Sequence, residues 1–343
     1  MDAFLTSRII ADVLGGLTNG VIYGMVALSL VLIWRSTGVL NFAQGAMPMF
    51  ATYVGFALLS YHFGYWLCAV AALIVGLAVG GLTERLVVRG LYGKPEINPI
   101  VVMVGFLIVL EAVAAAIWSS FPRSLPSPFS SIDWQLGGHP VSLSPFTVYE
   151  IGAAIVVMLA VAALFRFTNL GLQLRASALA PEVSRLLGVR VGRLLTLGWM
   201  LSTAVGVVTT ILVSSNFFTG LTPQVNDGIF AFGFIAAAVG GLESPVGAIV
   251  AGVSLGIILQ FVQDYLNSNA QIIVALVVLI VALFLGAFVD RITALKIVAG
   301  VVLLWILQNQ PTVFDCIRKL FSFIQRRPSV REYRGGVTTV RAS

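Results

Sequence analysis

The chain has 343 residues, of which 59% are hydrophobic and 10% charged, against roughly 45–50% and about 25% in soluble domains. A water-soluble chain of this length has no core large enough to hide so much apolar surface, so hydrocarbon must solvate most of it. The net charge of +6 is no nucleic-acid footprint: from Ile317 onward, Arg318, Lys319, Arg326, Arg327, Arg331, Arg334 and Arg341 face Glu332 alone, which accounts for all of it and leaves the rest balanced.

Charge-poor apolar runs of about twenty residues read as membrane-spanning helices, because in lipid each segment must pair its own backbone groups. In chain order they fall near 12–34, 42–60, 64–83, 99–118, 147–165, 194–214, 245–263, 270–289 and 292–310. The first reads as a retained span and not a cleaved signal, since Asp2, Arg8 and Asp12 do not form a basic leader. A shorter apolar piece, 228–242, is too short to cross at 1.5 Å per residue and reads as a re-entrant half-helix that enters and leaves on the external side. The fold class is therefore an all-α polytopic membrane protein, with about nine transmembrane helices plus one re-entrant half-helix. Domain organisation is a transmembrane domain over 1–310 and a basic tail over 311–343. In the tail, Phe314, Ile317, Phe321 and Ile324 recur at helical spacing, which suits a short amphipathic helix on the inner headgroup layer; beyond Pro328 the composition is that of a disordered segment.

Orientation follows from arginine and lysine in the short loops. The loop 84–96 carries Arg85, Arg89 and Lys94, and the loop 166–193 carries Arg166, Arg175, Arg185, Arg190 and Arg193. Both are expected in the cytoplasm, with the Pro- and Ser-rich segment 119–146 outside. Continuing the count, the re-entrant reading places the tail in the cytoplasm beside anionic lipid. Glycines at every fourth position (Gly16, Gly20 and Gly24; Gly76 and Gly80; Gly252 and Gly256) lie on single helix faces and permit close helix packing.

Three segments carry the functional signal. The long cytoplasmic loop contains Pro181, Glu182, Arg185 and Gly188 after Arg175. Pro suits the first helical position, Glu the positive end of the dipole and Gly a left-handed cap. A stiff helix of about two turns is expected, suited to receive force from a soluble motor or to serve as a plain connector. The second segment, Asn41-Phe-Ala-Gln44-Gly45, places two amides at a span boundary, where they suit a cavity lining or a helix–helix hydrogen bond equally. In the third, Gly240-Gly241-Leu-Glu243-Ser244-Pro245, a glycine pair ends the half-helix and Ser or Glu with Pro restarts the next, which marks a candidate gate.

Glu111 is read as an acid well inside a span, hence a pathway candidate or a structural, hydrogen-bonded group. Proton coupling is not expected, since the sequence places no second buried acid, His or Arg beside it. Cys68 and Cys316 lie far apart and only His62 and His139 are present, so neither a disulfide nor a metal site is expected, and no cofactor. Gly93-Lys94 is followed by Pro95, which is no phosphate-binding loop, so nucleotide must bind elsewhere.

The three segments, in this order, resemble the permeases of branched-chain amino acid ABC importers. The resemblance covers roughly residues 12–290, from Gly16-Leu-Thr-Asn-Gly20-Val-Ile-Tyr-Gly24 through Asn41-Phe-Ala-Gln44-Gly45 and Pro181-Glu182 to Gly240-Gly241-Leu-Glu243-Ser244-Pro245-Val-Gly247-Ala248. Gln44 stands where the family usually has His, and the 292–310 span with its tail extends past the usual end. The resemblance implies an ABC importer permease fold in the bacterial inner membrane, and 166–193 as the coupling loop. It also implies a homologous second permease, two cytoplasmic ATP-binding subunits and an external substrate-binding protein. The chain would then be no enzyme, with ATP hydrolysis residing in the partners. Branched-chain amino acids are the expected cargo, with urea or short amides as the alternative within the family. A secondary transporter independent of ATP is the alternative outside it, although ion coupling needs more buried ionisable groups than the sequence offers.

Overall fold

α1 (Asp2–Thr37) runs through the centre of the helical bundle. Over its apolar stretch Ile9–Thr37, 83% of the best window is buried, against 17% for the fifth helix. A helix that is apolar all round belongs inside a bundle, and here protein, not lipid, surrounds it. The computed structural model describes residues 2–285 apart from 96, 133, 137–138, 141–142, 180, 216–219 and 267. The end of the eighth expected span, the span at 292–310 and the tail over 311–343 lie outside the described residues.

The second span is broken. Residues Phe42–Gln44 form a 3₁₀ turn, α2 (Ala46–Phe56) follows, and a further 3₁₀ turn covers Ala57–Tyr61. The sequence reading of one helix over 42–60 is thus divided in three, because Asn41 closes a side-chain-capped turn before Gly45. α3 (Tyr65–Thr83) continues into a π-helical turn over Glu84–Val88 and a 3₁₀ turn over Arg89–Leu91. α4 (Ile97–Trp118) and α5 (Pro145–Phe167) are the peripheral helices. They present Val101, Val109, Ile117, Val156 and Leu159 outward, as expected for a lipid-facing surface. Between them, Gln135–Leu136 pairs with His139–Pro140 in a minimal hairpin.

The helix expected between Pro181 and Gly188 is α7 (Pro181–Leu186), and a helix that the sequence reading did not mark, α6 (Asn169–Leu179), precedes it. α8 (Val191–Ser214) returns through the bundle and is, with α1 and α2, its most buried element. α9 (Asp227–Gly240), α10 (Pro245–Tyr265) and α11 (Ser268–Leu285) complete the described chain. Among the described residues, seven helical stretches, the broken second one included, are long and apolar enough to cross a membrane, and α9 is shorter, as its length suggested.

Glycine spacing decides how α10 lies. A Cβ on Gly20 would stand 2.7 Å from Val253 Cα, and one on Gly16 would stand 2.6 Å from Ile257 Cα. Gly252 abuts Gly24 and Gly256 abuts Gly20, so residue numbers rise along α10 as they fall along α1. The two helices are antiparallel and nearly backbone to backbone. α9 runs alongside α1 in the same direction, with Phe232 on Tyr23 and Gly233 against Val26. The half-helix therefore does not leave on its own side before α10 starts, as the sequence reading had it. α9 leads into the bundle and α10 itself is the returning limb, its Gly252 and Gly256 set against Gly24 and Gly20 of α1.

Candidate functional site

The broken segment after α1 lies at mid-depth in the bundle. Asn41 Oδ1 accepts from the Ala43 N–H at 3.0 Å, and its Nδ2 donates to Gln44 Oε1 at 3.0 Å. Gln44 Nε2 in turn donates to the Ser202 carbonyl, near the midpoint of α8, at 3.2 Å. The Ser202 hydroxyl donates to the Ser29 carbonyl of α1 at 2.7 Å. This polar seam joins α1, the 3₁₀ turn and α8, and every side chain in it is buried. Buried amides so bonded hold the irregular backbone in place.

A second fastening comes from the start of α9. Asn226 Nδ2 donates to the Gly45 carbonyl and to Thr210 Oγ1, both at 2.8 Å. Between the two fastenings lies a narrow cleft lined by Ser29, Gln44, Gly45, Thr209, Asn226 and Phe230, among others. Gln44 thus serves both readings offered by the sequence, bonding a neighbouring helix and lining a cavity. Asn41 serves the turn. Asn226, Ser202 and Thr210 escape sequence reading because no spacing or motif links their separate segments, which only the fold brings together.

Glu111, on α4, is buried, and its Oε1 finds no donor among the described residues. It does not stand alone: the Asp227 carboxyl and the Gln224 amide lie against it. Glu150, in α5, is buried as well. The expectation of no second buried acid is corrected. Asp227 is 116 positions away in sequence, at the lip of α9, and only the approach of α4 to the 41–45 turn brings the two together.

The segment read as a candidate gate stops and restarts its helices as its residue types suggest. α9 stops at Gly240, Gly241 adopts φ +89°, and Ser244 Oγ accepts from the Gly247 N–H at 3.0 Å with Pro245 in the first turn of α10. Gly240 and Gly247 touch backbone to backbone, leaving no room for a side chain on either. Beyond the ends of α4 and α8, Arg123 and Leu221 exchange backbone hydrogen bonds of 3.0 and 2.8 Å. Tyr53, stacked on Trp118, donates its hydroxyl to the Leu221 carbonyl at 3.1 Å.

In the loop expected to face the cytoplasm, α7 begins at Pro181 and ends in a left-handed Gly188, φ +79°. The Val189 N–H donates to the Ser184 carbonyl at 3.0 Å, the six-to-one bond of a Schellman cap. Glu182 and Arg185 stand on this helix and Arg175 on α6. Val183 and Leu186 of α7, and Leu187 just after it, are large hydrophobic residues that stand exposed. The sequence reading singled out the charges and missed this tip, since three apolar residues in a short loop carry no periodic signal. Metal-ligating clusters of three or more are absent among the described residues.

Residues 13–285 match the family described as the branched-chain amino acid transport system permease component. This chain belongs to that family. It is 26% identical over 280 residues to the high-affinity branched-chain amino acid transport permease LivH of Escherichia coli K12, covering 78% of this chain and 90% of that one. Against BraD of Pseudomonas aeruginosa it is 26% identical over 289 residues, covering 79% and 92%. Against a probable LivH of Methanocaldococcus jannaschii it is 30% identical over 256 residues, covering 71% and 78%. Among solved structures, the chain overlaps PsaBC of Streptococcus pneumoniae, in complex with Fab, with a TM-score of 0.43 and 13% identity, covering 82% of this chain and 91% of that one. The protein is a multi-pass membrane permease of the ABC importer class.

Proposed function

We propose that the chain is the membrane-spanning permease subunit of an ATP-driven importer of branched-chain amino acids in the bacterial inner membrane. α7 carries the reading: a short cytoplasmic helix, fixed by Pro181 and the Gly188 cap, offers an apolar tip of Val183, Leu186 and Leu187 to a soluble partner. Two cytoplasmic ATP-binding subunits dock on this helix and its counterpart in a homologous second permease, and an external binding protein delivers the cargo. ATP binding biases the pair between inward- and outward-facing arrangements, a population shift driven from outside the membrane. The cleft beside Gln44 and Asn226 takes the polar end of a small zwitterion, while Val26 and Phe230 suit an aliphatic side chain. Asn41, Glu111, Gly240, Gly241, Ser244 and Pro245 line or hinge this route.

The test is the double variant Arg185→Glu/Gly188→Glu, purified with its partners and reconstituted in liposomes. Membrane insertion should persist, ATPase copurification should fall, and uptake should be lost. Normal uptake with a normal ATPase complement refutes the docking role of α7. Cargo is checked by the ligand held by the cognate external binding protein; a non-aliphatic ligand overturns the substrate assignment.

A further inference from the structure

Glu84 is fully buried at the cytoplasmic end of α3, and nothing in the transport route described above uses it. Arg89 meets it with two bonds, Nε to Oε1 at 3.2 Å and Nη2 to Oε2 at 2.9 Å. In an α-helix, residues five apart point about 140° away from each other around the axis. The wider π turn over Glu84–Val88 returns Arg89 to the face of Glu84. This local departure from helical geometry is thus what makes the pair possible.

The pair also reaches across to α8. Arg89 Nη2 donates to the Gly192 carbonyl at 3.2 Å and lies 3.2 Å from Thr196 Oγ1. The Thr196 hydroxyl donates to Glu84 Oε2 at 2.7 Å, shorter than its 3.0 Å approach to its own helix at Gly192. The Tyr92 phenol lies against the same carboxylate, and burial with the Glu84 charge pushes its pKa up. Just above, the two helices lie close together: a Cβ on Gly80 would stand 2.6 Å from Thr203 Oγ1 and from the Trp199 carbonyl oxygen.

α8 starts at Val191, directly after the cap of α7. Val189 bonds back to Ser184, Val191 to Val189, and Arg193 and Leu194 to Arg190, so the connection has little slack. An apolar interface can slide by a fraction of an ångström at small cost. A sealed carboxylate cannot be separated from its cation and its hydroxyl donor without leaving a charge uncompensated.

We propose that Glu84, Arg89 and Thr196 form the joint through which movement of the α6–α7 segment reaches α3. They are positioning residues for the transport cycle and touch no substrate. The inference rests on the reading of α7 as the surface that receives the ATP-binding subunits. Motion entering at α7 turns the first turn of α8, and the clamp obliges the end of α3 to follow.

Thr196→Val and Glu84→Gln test this in the complete complex, with both permeases, the ATP-binding subunits and the binding protein in proteoliposomes. Thr196→Ser keeps the hydroxyl and serves as the conservative rescue. Thr196→Val and Glu84→Gln should assemble with ATP-binding subunits in wild-type ratio and hydrolyse ATP within about twofold of wild type. Cargo imported per ATP should fall at least about fivefold, and Thr196→Ser should restore it. Unchanged import per ATP in both variants overturns the joint, as does a fall in uptake that merely tracks the amount of assembled complex. If the wild-type chain itself retains no ATP-binding subunit, the importer reading falls and the joint falls with it. A wild type that retains them beside variants that stay coupled overturns the joint alone.

Discussion

Replacing Gly20 with Ala should loosen the bundle at its centre, and the structure sets the scale. The new methyl would sit 2.7 Å from Val253 Cα and 2.8 Å from its carbonyl oxygen, whereas carbon atoms rest at about 3.5–4.0 Å. Neither neighbour is a flexible side chain, so the backbone of α10 must retreat by roughly 0.8 Å. A gap of that size forfeits about a quarter to a half of the dispersion energy of each contact along the seam. Overpacking of this kind costs about 1–3 kcal/mol, and a mid-range loss lowers Tm by roughly 3 °C in a protein of this size. Gly105, on α4, is the control, because a Cβ there meets nothing within 4 Å. Gly105→Ala should be neutral or stabilising by up to about 1 kcal/mol through helix propensity alone. Thermal unfolding of both variants in the same detergent, followed by fluorescence, measures the difference. Equal Tm values for Gly20→Ala and Gly105→Ala refute the backbone-to-backbone packing of α1 on α10.

Three further outcomes follow from the site. Asn226→Asp replaces the amide donor to Gly45 and Thr210 with a carboxylate; leaving buried partners unmatched costs about 1–3 kcal/mol, and uptake should fall more than about tenfold while membrane insertion persists. Arg123→Cys with Leu221→Cys places two thiols across an antiparallel bridge, with Cα atoms about 5.5 Å apart, within disulfide reach. Oxidation should abolish uptake and a reductant should restore it; unimpaired uptake by a fully cross-linked protein shows that the outer mouth need not part here. Ser244→Ala removes the cap of α10 and should lower stability by about 1 kcal/mol, read as a Tm shift smaller than that of Gly20→Ala.

How much of this was legible beforehand differs from element to element. Pro181 and Gly188 announced α7, and Ser244-Pro245 announced the start of α10, because caps are local chemistry written in adjacent residues. The short length of 228–242 announced a half-helix for the same reason. The partnership of Glu111 with Asp227, the seam from Asn41 through Gln44 to Ser202 and Ser29, and the clamp of Glu84 on Thr196 join residues far apart in the chain. No periodicity or spacing connects them.

The sequence alone therefore determined the solvent, since only hydrocarbon can accept so much apolar surface, and it determined the caps and the glycine faces. Where those faces meet was decided by the tertiary structure. Lipid supplies no drive to bring one apolar helix against another, so close approach goes to whichever backbones fit, and α10 folds back along α1 for that reason. The same packing chose which polar side chains would find each other, and with them the position of the cleft and of the cytoplasmic joint.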